Sequence, residues 1–285
     1  MHLNINGASL FFDTVGSGLA VDGARMAERP ALLVLHGGPG FDHSLMRPYF
    51  DRFADSHQVI FVDHRGNGRS GGAPETWRLA QWGDDIATLI ETLGLARPVV
   101  FGLSFGGMVA MSYATRHPEQ PSKLILASTA ARMDLEATYA MMRRLGGDEA
   151  ASIARRFWSD PSPEAAGDYM AVCMPLYNPG SDPGFAEARA RAIMRYEVMF
   201  DFIAGEQRTM NLLPDLARIA CPTLVMAGGL DPITPVACSQ AIHAAIPEGL
   251  ARLEVFEAAG HGPQRDDPLG AEAVIRAFLS EGSAA

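Results

Sequence analysis

The sequence predicts an α/β fold, a mostly parallel central sheet flanked by helices, with a helical insertion in its second half. Three observations predict it. Short apolar runs without polar alternation recur along the chain, as expected of strands buried on both faces. Segments with apolar residues at helical spacing separate these runs. One stretch, residues 129–216, breaks the alternation, with several helical patterns and no strong strand.

Taken in order, Leu3–Ile5 and Ser9–Phe12 flank Asn6-Gly7, a hairpin signal. Gly16 to Arg29 is polar and Gly-containing and reads as an exposed loop. Strands are expected at Ala31–Leu35, Val59–Val62, Pro98–Leu103, Lys123–Ala127, Thr223–Ala227 and Arg252–Phe256. Helices are expected at Trp77–Leu93, stopped by Gly94, at Gly106–Arg116 and Val236–Ile246, each followed closely by Pro, and at Pro268–Leu279. This alternation implies an open sheet covered on both sides, with its ligand site beyond the carboxyl ends of the strands. Pro- and Gly-rich breaks, Asp160-Pro161-Ser162-Pro163 and Asn178-Pro179-Gly180, punctuate the insertion. The expected organisation is therefore a core of residues 1–128 and 217–285 carrying a helical cap of residues 129–216.

The chain has 285 residues, enough for one such domain with an insertion. Its formal net charge of −10 argues against nucleic acid as a partner, because an acidic surface repels phosphate. The three cysteines, Cys173, Cys221 and Cys238, are odd in number and lack C-x-x-C spacing, so free thiols are expected rather than a disulfide framework or zinc site. The N-terminus lacks the basic and apolar regions of a secretory signal, and no apolar run reaches the length of a membrane span. The expected location is the cytoplasm, with no membrane association. Oligomeric state leaves no sequence signal.

The strongest chemical signal is Gly102-Leu103-Ser104-Phe105-Gly106-Gly107, between a strand and a helix. A G-x-S-x-G motif in that context raises a serine hydroxyl over the sheet edge. The flanking glycines let the sharp turn close without collision. A serine needs a base to take its proton, and the base needs an orienting acid. Of the later histidines, His117 lies at a helix end and His243 within a helical pattern. His261, in Ala259-Gly260-His261-Gly262, follows the last strand and is the expected base. Asp231 follows the strand before it and is the expected acid; Asp215, Asp266 and Asp267 are its rivals. The backbone N–H groups of Phe105 and of Gly38, in His36-Gly37-Gly38-Pro39-Gly40, are the expected oxyanion donors. His36 reads as a structural hydrogen-bonding residue. Asp63-His64-Arg65-Gly66-Asn67-Gly68-Arg69-Ser70 reads as a tight loop buttressing the site. No H-E-x-x-H or clustered His/carboxylate spacing suggests a metal, and no cofactor is implied.

Together, the His36–Gly40 loop, Asp63-x-Arg65-Gly66-x-Gly68-x-Ser70, the serine turn, Asp231 and Gly260-His261 resemble the proline iminopeptidase family of the α/β-hydrolase fold. The resemblance covers most of the sheet-forming chain. It departs at His64, where the family usually has Gln, and at Phe105, where it typically has Trp or Tyr. It implies a helical cap over the site and cap glutamates that hold a substrate ammonium group. Glu187, Glu197 and Glu206 lie in that region. Glu197, among Met194, Tyr196, Met199 and Phe200, is the foremost candidate, and Met194 with its neighbours equally suits an apolar acyl pocket.

The expected function is a serine hydrolase cleaving a small ester or amide of a small-molecule or short-peptide substrate through an acyl-enzyme. An aminopeptidase is the leading form, and a carboxylesterase or lactonase the alternative. A receptor of the same fold that keeps its triad, and non-hydrolytic uses such as perhydrolysis or carbon–carbon cleavage, are further alternatives.

Overall fold

The computed structural model describes residues 1–180 and 183–281; residues 282–285, at the end of the predicted core segment, lie outside them. The strands are β1 (His2–Ile5), β2 (Ala8–Val15), β3 (Leu19–Asp22), β4 (Arg25–Glu28), β5 (Ala31–Leu35), β6 (Gln58–Val62), β7 (Val99–Leu103), β8 (Lys123–Ala127), β9 (Thr223–Gly228) and β10 (Ala251–Phe256). The main helices are α1 (Leu79–Thr92), α2 (Phe105–Arg116), α3 (Leu135–Ser159), α4 (Pro163–Val172), α5 (Pro183–Arg191), α6 (Tyr196–Ala204), α7 (Val236–Ala245), α8 (Pro263–Asp266) and α9 (Pro268–Ser280).

Eight strands form one sheet in the order β1-β2-β6-β5-β7-β8-β9-β10. The pairs β1–β2 and β2–β6 are antiparallel, and every later pair is parallel. Successive residues of the apolar runs point to opposite faces. Leu33, Leu35, Val100, Leu124 and Leu126 pack with α1 and α2 on one side. Leu32, Val34, Phe101, Ile125 and Ala127 pack with α9 on the other. This two-sided burial explains why the runs lack polar alternation.

The chain goes from β5 outward to β6, then returns to place β7 on β5's other side. The crevice between β5 and β7 is thus the point where strand order reverses, the place where open α/β sheets bind ligands. His36 and Ser104 follow these two strands directly.

Gly16 to Arg29 departs from the loop expected there. It contains the two-stranded ribbon β3–β4, with register Leu19↔Glu28 and Asp22↔Arg25. Its Val21 and Met26 are exposed, so neither strand has the buried face that creates an alternating pattern. The turn signal was Asp22-Gly23, with Gly23 at φ +59°.

Between β8 and β9 lie α3 to α6. Gly147, at φ 76° and ψ −171°, breaks α3 into two helical pieces. Tyr139, Met142, Ala154, Phe157, Tyr169, Met199 and Ile203 form a separate apolar cluster within this insertion. No helix among the described residues is long and apolar enough to cross a membrane. The three cysteines are free and buried, and burial pushes each thiol up to about 11.

Candidate active site

Ser104 directly follows β7 and immediately precedes α2, with φ 55° and ψ −119°. A residue with a side chain pays strain in that region, of order 1–3 kcal/mol. The surroundings enforce it. A Cβ on Gly102 would collide with the Gly106 backbone, and one on Gly106 with the carbonyls of Leu35 and His36. The Ser104 N–H donates to Ala127 O at 3.0 Å, and the Thr129 hydroxyl donates to Ser104 O at 2.7 Å. The turn is therefore held from β8 as well as from its own helix. Phe105 opens α2, where a backbone N–H has no acceptor within the helix and the helix dipole favours negative charge. The Phe105 ring packs edge-on against Trp82 and Phe202, at centroid distances of 4.9 and 5.2 Å.

Asp231 lies in the turn after β9 and is fully buried. Its Oδ1 accepts from the N–H groups of Ile233 (2.8 Å) and Thr234 (3.0 Å), and its Oδ2 from the Thr234 hydroxyl (2.8 Å). His261 Nδ1 lies 2.9 Å from Oδ2 and 3.0 Å from Oδ1. Burial by itself pushes the Asp231 carboxyl up. The His261 charge and hydrogen bond and the backbone donors outweigh it, so the carboxyl lies below its usual value and stays ionised. Of the rivals, Asp215 is in the approach to β9, Asp266 accepts from Gly260 N–H at 2.7 Å, and Asp267 caps α9.

Three contacts hold the His261 loop. His261 N–H donates to Tyr177 O (2.6 Å), Asn178 Nδ2 donates to His261 O (3.1 Å), and Gly262 N–H donates to the Ser128 hydroxyl (2.9 Å). The first two come from the insertion, and the Tyr177 ring stands edge-on to His261 at 5.2 Å.

The loop after β5 is fixed by the one after β6. Gly40 N–H donates to Asn67 Oδ1 (2.6 Å), and Asn67 Nδ2 donates to Arg65 O (2.9 Å). Arg65 makes a buried bidentate pair with Asp85, both bonds 2.7 Å. Asp63 accepts from His43 Nδ1 at 2.6 Å and from Arg69 N–H at 2.9 Å. Burial opposes its ionisation, but His43 and the neighbouring charges hold the carboxyl down to about 2. Asp42, His43 and Asp63 bring ligand-type atoms within 4.8 Å of one another, a grouping the sequence spacing did not suggest. The Arg69 guanidinium, 2.7 Å from Asp42, supplies the countercharge there.

His36 is buried, with Nδ1 2.7 Å from Gly37 O and Nε2 accepting from His64 N–H at 3.2 Å. The His64 ring packs against it, tilted by 52° at a centroid distance of 4.5 Å, and His64 Nε2 has no hydrogen-bond partner among the described residues. Burial pushes both imidazoles below their usual value, more strongly for His64, where the His36 charge adds to the effect. The unfolded chain therefore binds more protons than the folded one below pH 6.5. Stability from this pair is complete above pH 6.5 and declines as the pH falls toward the folded-state values. The melting temperature is expected to drop steadily from pH 7 to 5, and less so in His64→Gln. Parallel wild-type and variant curves over that range would refute the assignment.

Ser104 and His261 line one cavity of about 90 Å³, together with Gly37 and Gly38 of the loop after β5. Most of its wall is apolar or aromatic: Leu45, Leu103, Met108 and Ile233 of the core, and Met133, Phe157, Trp158, Met174, Met199, Phe202 and Ile203 of the insertion. Tyr169 and Tyr177, hydroxyls 2.8 Å apart, also line it, as do Arg189, Gln207 and Arg265.

The expected substrate-binding residues lie elsewhere. Glu197 and Glu187 are exposed, and Met194 packs against the insertion's own apolar cluster. Glu206 is half-buried with Oε2 accepting from Leu79 N–H at 2.7 Å, so it caps α1. None of the four lines the cavity. Helical periodicity could not show this, because which face of α5 or α6 meets the core depends on the packing of the insertion. Tyr177, Asn178, Gln207 and Thr129 carried no sequence signal of their positions.

A sequence profile of the alpha/beta hydrolase fold matches residues 30–268. A proline iminopeptidase of Xylella fastidiosa is 31% identical over 281 residues, covering 84% of this chain and 86% of that protein. A 3-oxoadipate enol-lactonase of Acinetobacter baylyi is 29% identical over 269 residues, covering 88% and 91%. The crystal structure of a proline iminopeptidase of Mycobacterium smegmatis superposes with a TM-score of 0.78 at 24% identity, over 98% of this chain and 97% of that one, a likeness of fold. The chain belongs to the alpha/beta hydrolase fold family and, within it, is similar to the proline iminopeptidases.

Proposed function

We propose that this hydrolase is a serine esterase or lactonase for small substrates with an apolar acyl group. The observation that carries this reading is the cavity wall beside Ser104 and His261. It is mostly apolar, and no carboxylate stands among its described lining residues. An aminopeptidase must bury a substrate ammonium group, and a buried cation needs a paired carboxylate. The glutamates expected to supply one point elsewhere. The aminopeptidase reading therefore comes second, supported by the 31% identity to a proline iminopeptidase.

In this reading Ser104 attacks the ester carbonyl while His261 takes its proton, with Asp231 orienting and stabilising the imidazolium. The N–H groups of Phe105 and Gly38 receive the oxyanion. The proton on His261 passes to the leaving alkoxide. Water then attacks the acyl-enzyme by the same route, releasing the acid and restoring Ser104. The insertion serves as a cap: its Met and aromatic side chains exclude water and shape the acyl pocket.

Purified enzyme is expected to release p-nitrophenol from p-nitrophenyl butyrate, with kcat/KM at least about 10²-fold above that for proline p-nitroanilide. Faster release from the anilide, dependent on Ser104, would overturn the esterase reading and restore the aminopeptidase.

A further inference from the structure

Besides the Trp158 indole N–H, the cavity holds a polar side chain whose hydrogen-bonding capacity no described residue uses. Gln207 lies in the short turn Glu206–Arg208 of the insertion, lines the cavity and is only 7% exposed. Its neighbours face other tasks. Glu206 caps α1, and Arg208 Nη2 donates to Ser159 O at 2.6 Å. The Gln207 carboxamide makes no hydrogen bond with any described residue. Phe202 and Ile203, just before it in sequence, belong to the same wall and are apolar. Leaving an amide without a protein partner in such apolar surroundings is unfavourable. A few polar groups set in an apolar pocket commonly orient a ligand.

We propose that Gln207 is a specificity-determining residue that pairs with a neutral amide within the substrate's acyl chain. The chemistry of the carboxamide selects that group. Gln offers both a donor and an acceptor, and an amide uses both. A carboxylate would use only the NH₂ and leave the Gln carbonyl facing a negative charge. An ammonium group would use only the carbonyl and leave the NH₂ facing a positive one. An alkyl chain would use neither. Of the cavity's cationic side chains, Arg189 and Arg265, the charge of Arg189 is felt at the Tyr177 hydroxyl, beside His261.

The substrate form of this inference rests on the esterase reading, so the test separates the two. Three p-nitrophenyl esters of matched chain length are compared: N-acetyl-β-alaninate, hexanoate and hydrogen adipate, each corrected for its alkaline hydrolysis rate. Wild type is expected to favour the amide ester over the hexanoate by about 10-fold or more in kcat/KM. Gln207→Leu should lower kcat/KM for the amide ester by roughly 10–100-fold and raise it for the hexanoate. Gln207→Glu keeps the shape, loses the donors and should also lose the amide preference. Parallel losses on all three esters would reduce Gln207 to a structural residue and overturn the proposal. A wild-type preference for hexanoate would do so too. Preference for the adipate would move specificity to the arginines. If wild type hydrolyses no ester, the esterase reading fails, and binding still decides Gln207. N-propylacetamide should raise the wild-type melting temperature and leave that of Gln207→Leu unmoved; equal shifts would overturn the proposal.

Discussion

Ser104→Ala is expected to lower kcat on p-nitrophenyl butyrate by about 10⁴-fold or more while leaving the fold and melting temperature unchanged. The hydroxyl contributes little to packing. The turn is held by the main chain of Ser104, by Thr129 and by the close approach of Gly102 and Gly106. Alanine keeps the Cβ and hence the backbone strain at φ 55°. Ser104→Gly removes that strain, so it should be equally inactive but melt a few degrees higher, roughly 2–5 °C after the entropy of a freer unfolded chain is subtracted. Stability and activity thus move in opposite directions at this residue. Ser104→Ala retaining more than a few per cent of wild-type kcat would remove Ser104 as nucleophile. A glycine variant no more stable than the alanine one would remove the strain argument alone.

Asp231→Asn should lower kcat by about 10³–10⁴-fold and also cost stability. The carboxylate accepts from Ile233 N–H, Thr234 N–H and the Thr234 hydroxyl besides His261. An asparagine must turn its NH₂ toward some of these donors. Directed at His261, it forces the imidazole into the tautomer that presents a proton, not a lone pair, to Ser104. Directed at the Thr234 side, it leaves buried donors facing each other. The second arrangement costs about 1–3 kcal/mol, or roughly 2–5 °C in melting temperature. Circular dichroism melts and steady-state kinetics on the same preparation separate the two effects. A variant that melts lower but keeps near-normal kcat would make Asp231 a turn-capping residue only.

Much of this architecture was legible because it is local. The apolar runs 31–35, 99–103 and 123–127 are strands for reasons contained in their own residues. The Gly102–Gly107 segment carries its own steric argument, since only glycine fits where a strand turns sharply into a helix. Asp231 and His261 were legible because each sits a few residues past a strand end. A parallel sheet gathers all such ends on one edge. Chain order and strand direction were therefore enough to bring residues 104, 231 and 261 together. The ribbon β3–β4 was missed for the converse reason, since it buries neither face and so leaves no periodic signature.

The sequence by itself determined the sheet, the strained serine turn and the loops that carry Asp231 and His261. These depend on short-range sterics and on hydrophobic runs of fixed period. The tertiary structure alone decided what the cavity can recognise. It turned Glu206 onto the end of α1 and left Glu197 in solvent. It set Gln207 in an apolar wall without a hydrogen-bond partner among the described residues, and it pinned the His261 loop from Tyr177 and Asn178. Those outcomes depend on how several short helices with weak periodicity rotate and pack on the core. The free-energy differences that select one rotation arise from contacts distant in sequence, which no local pattern records.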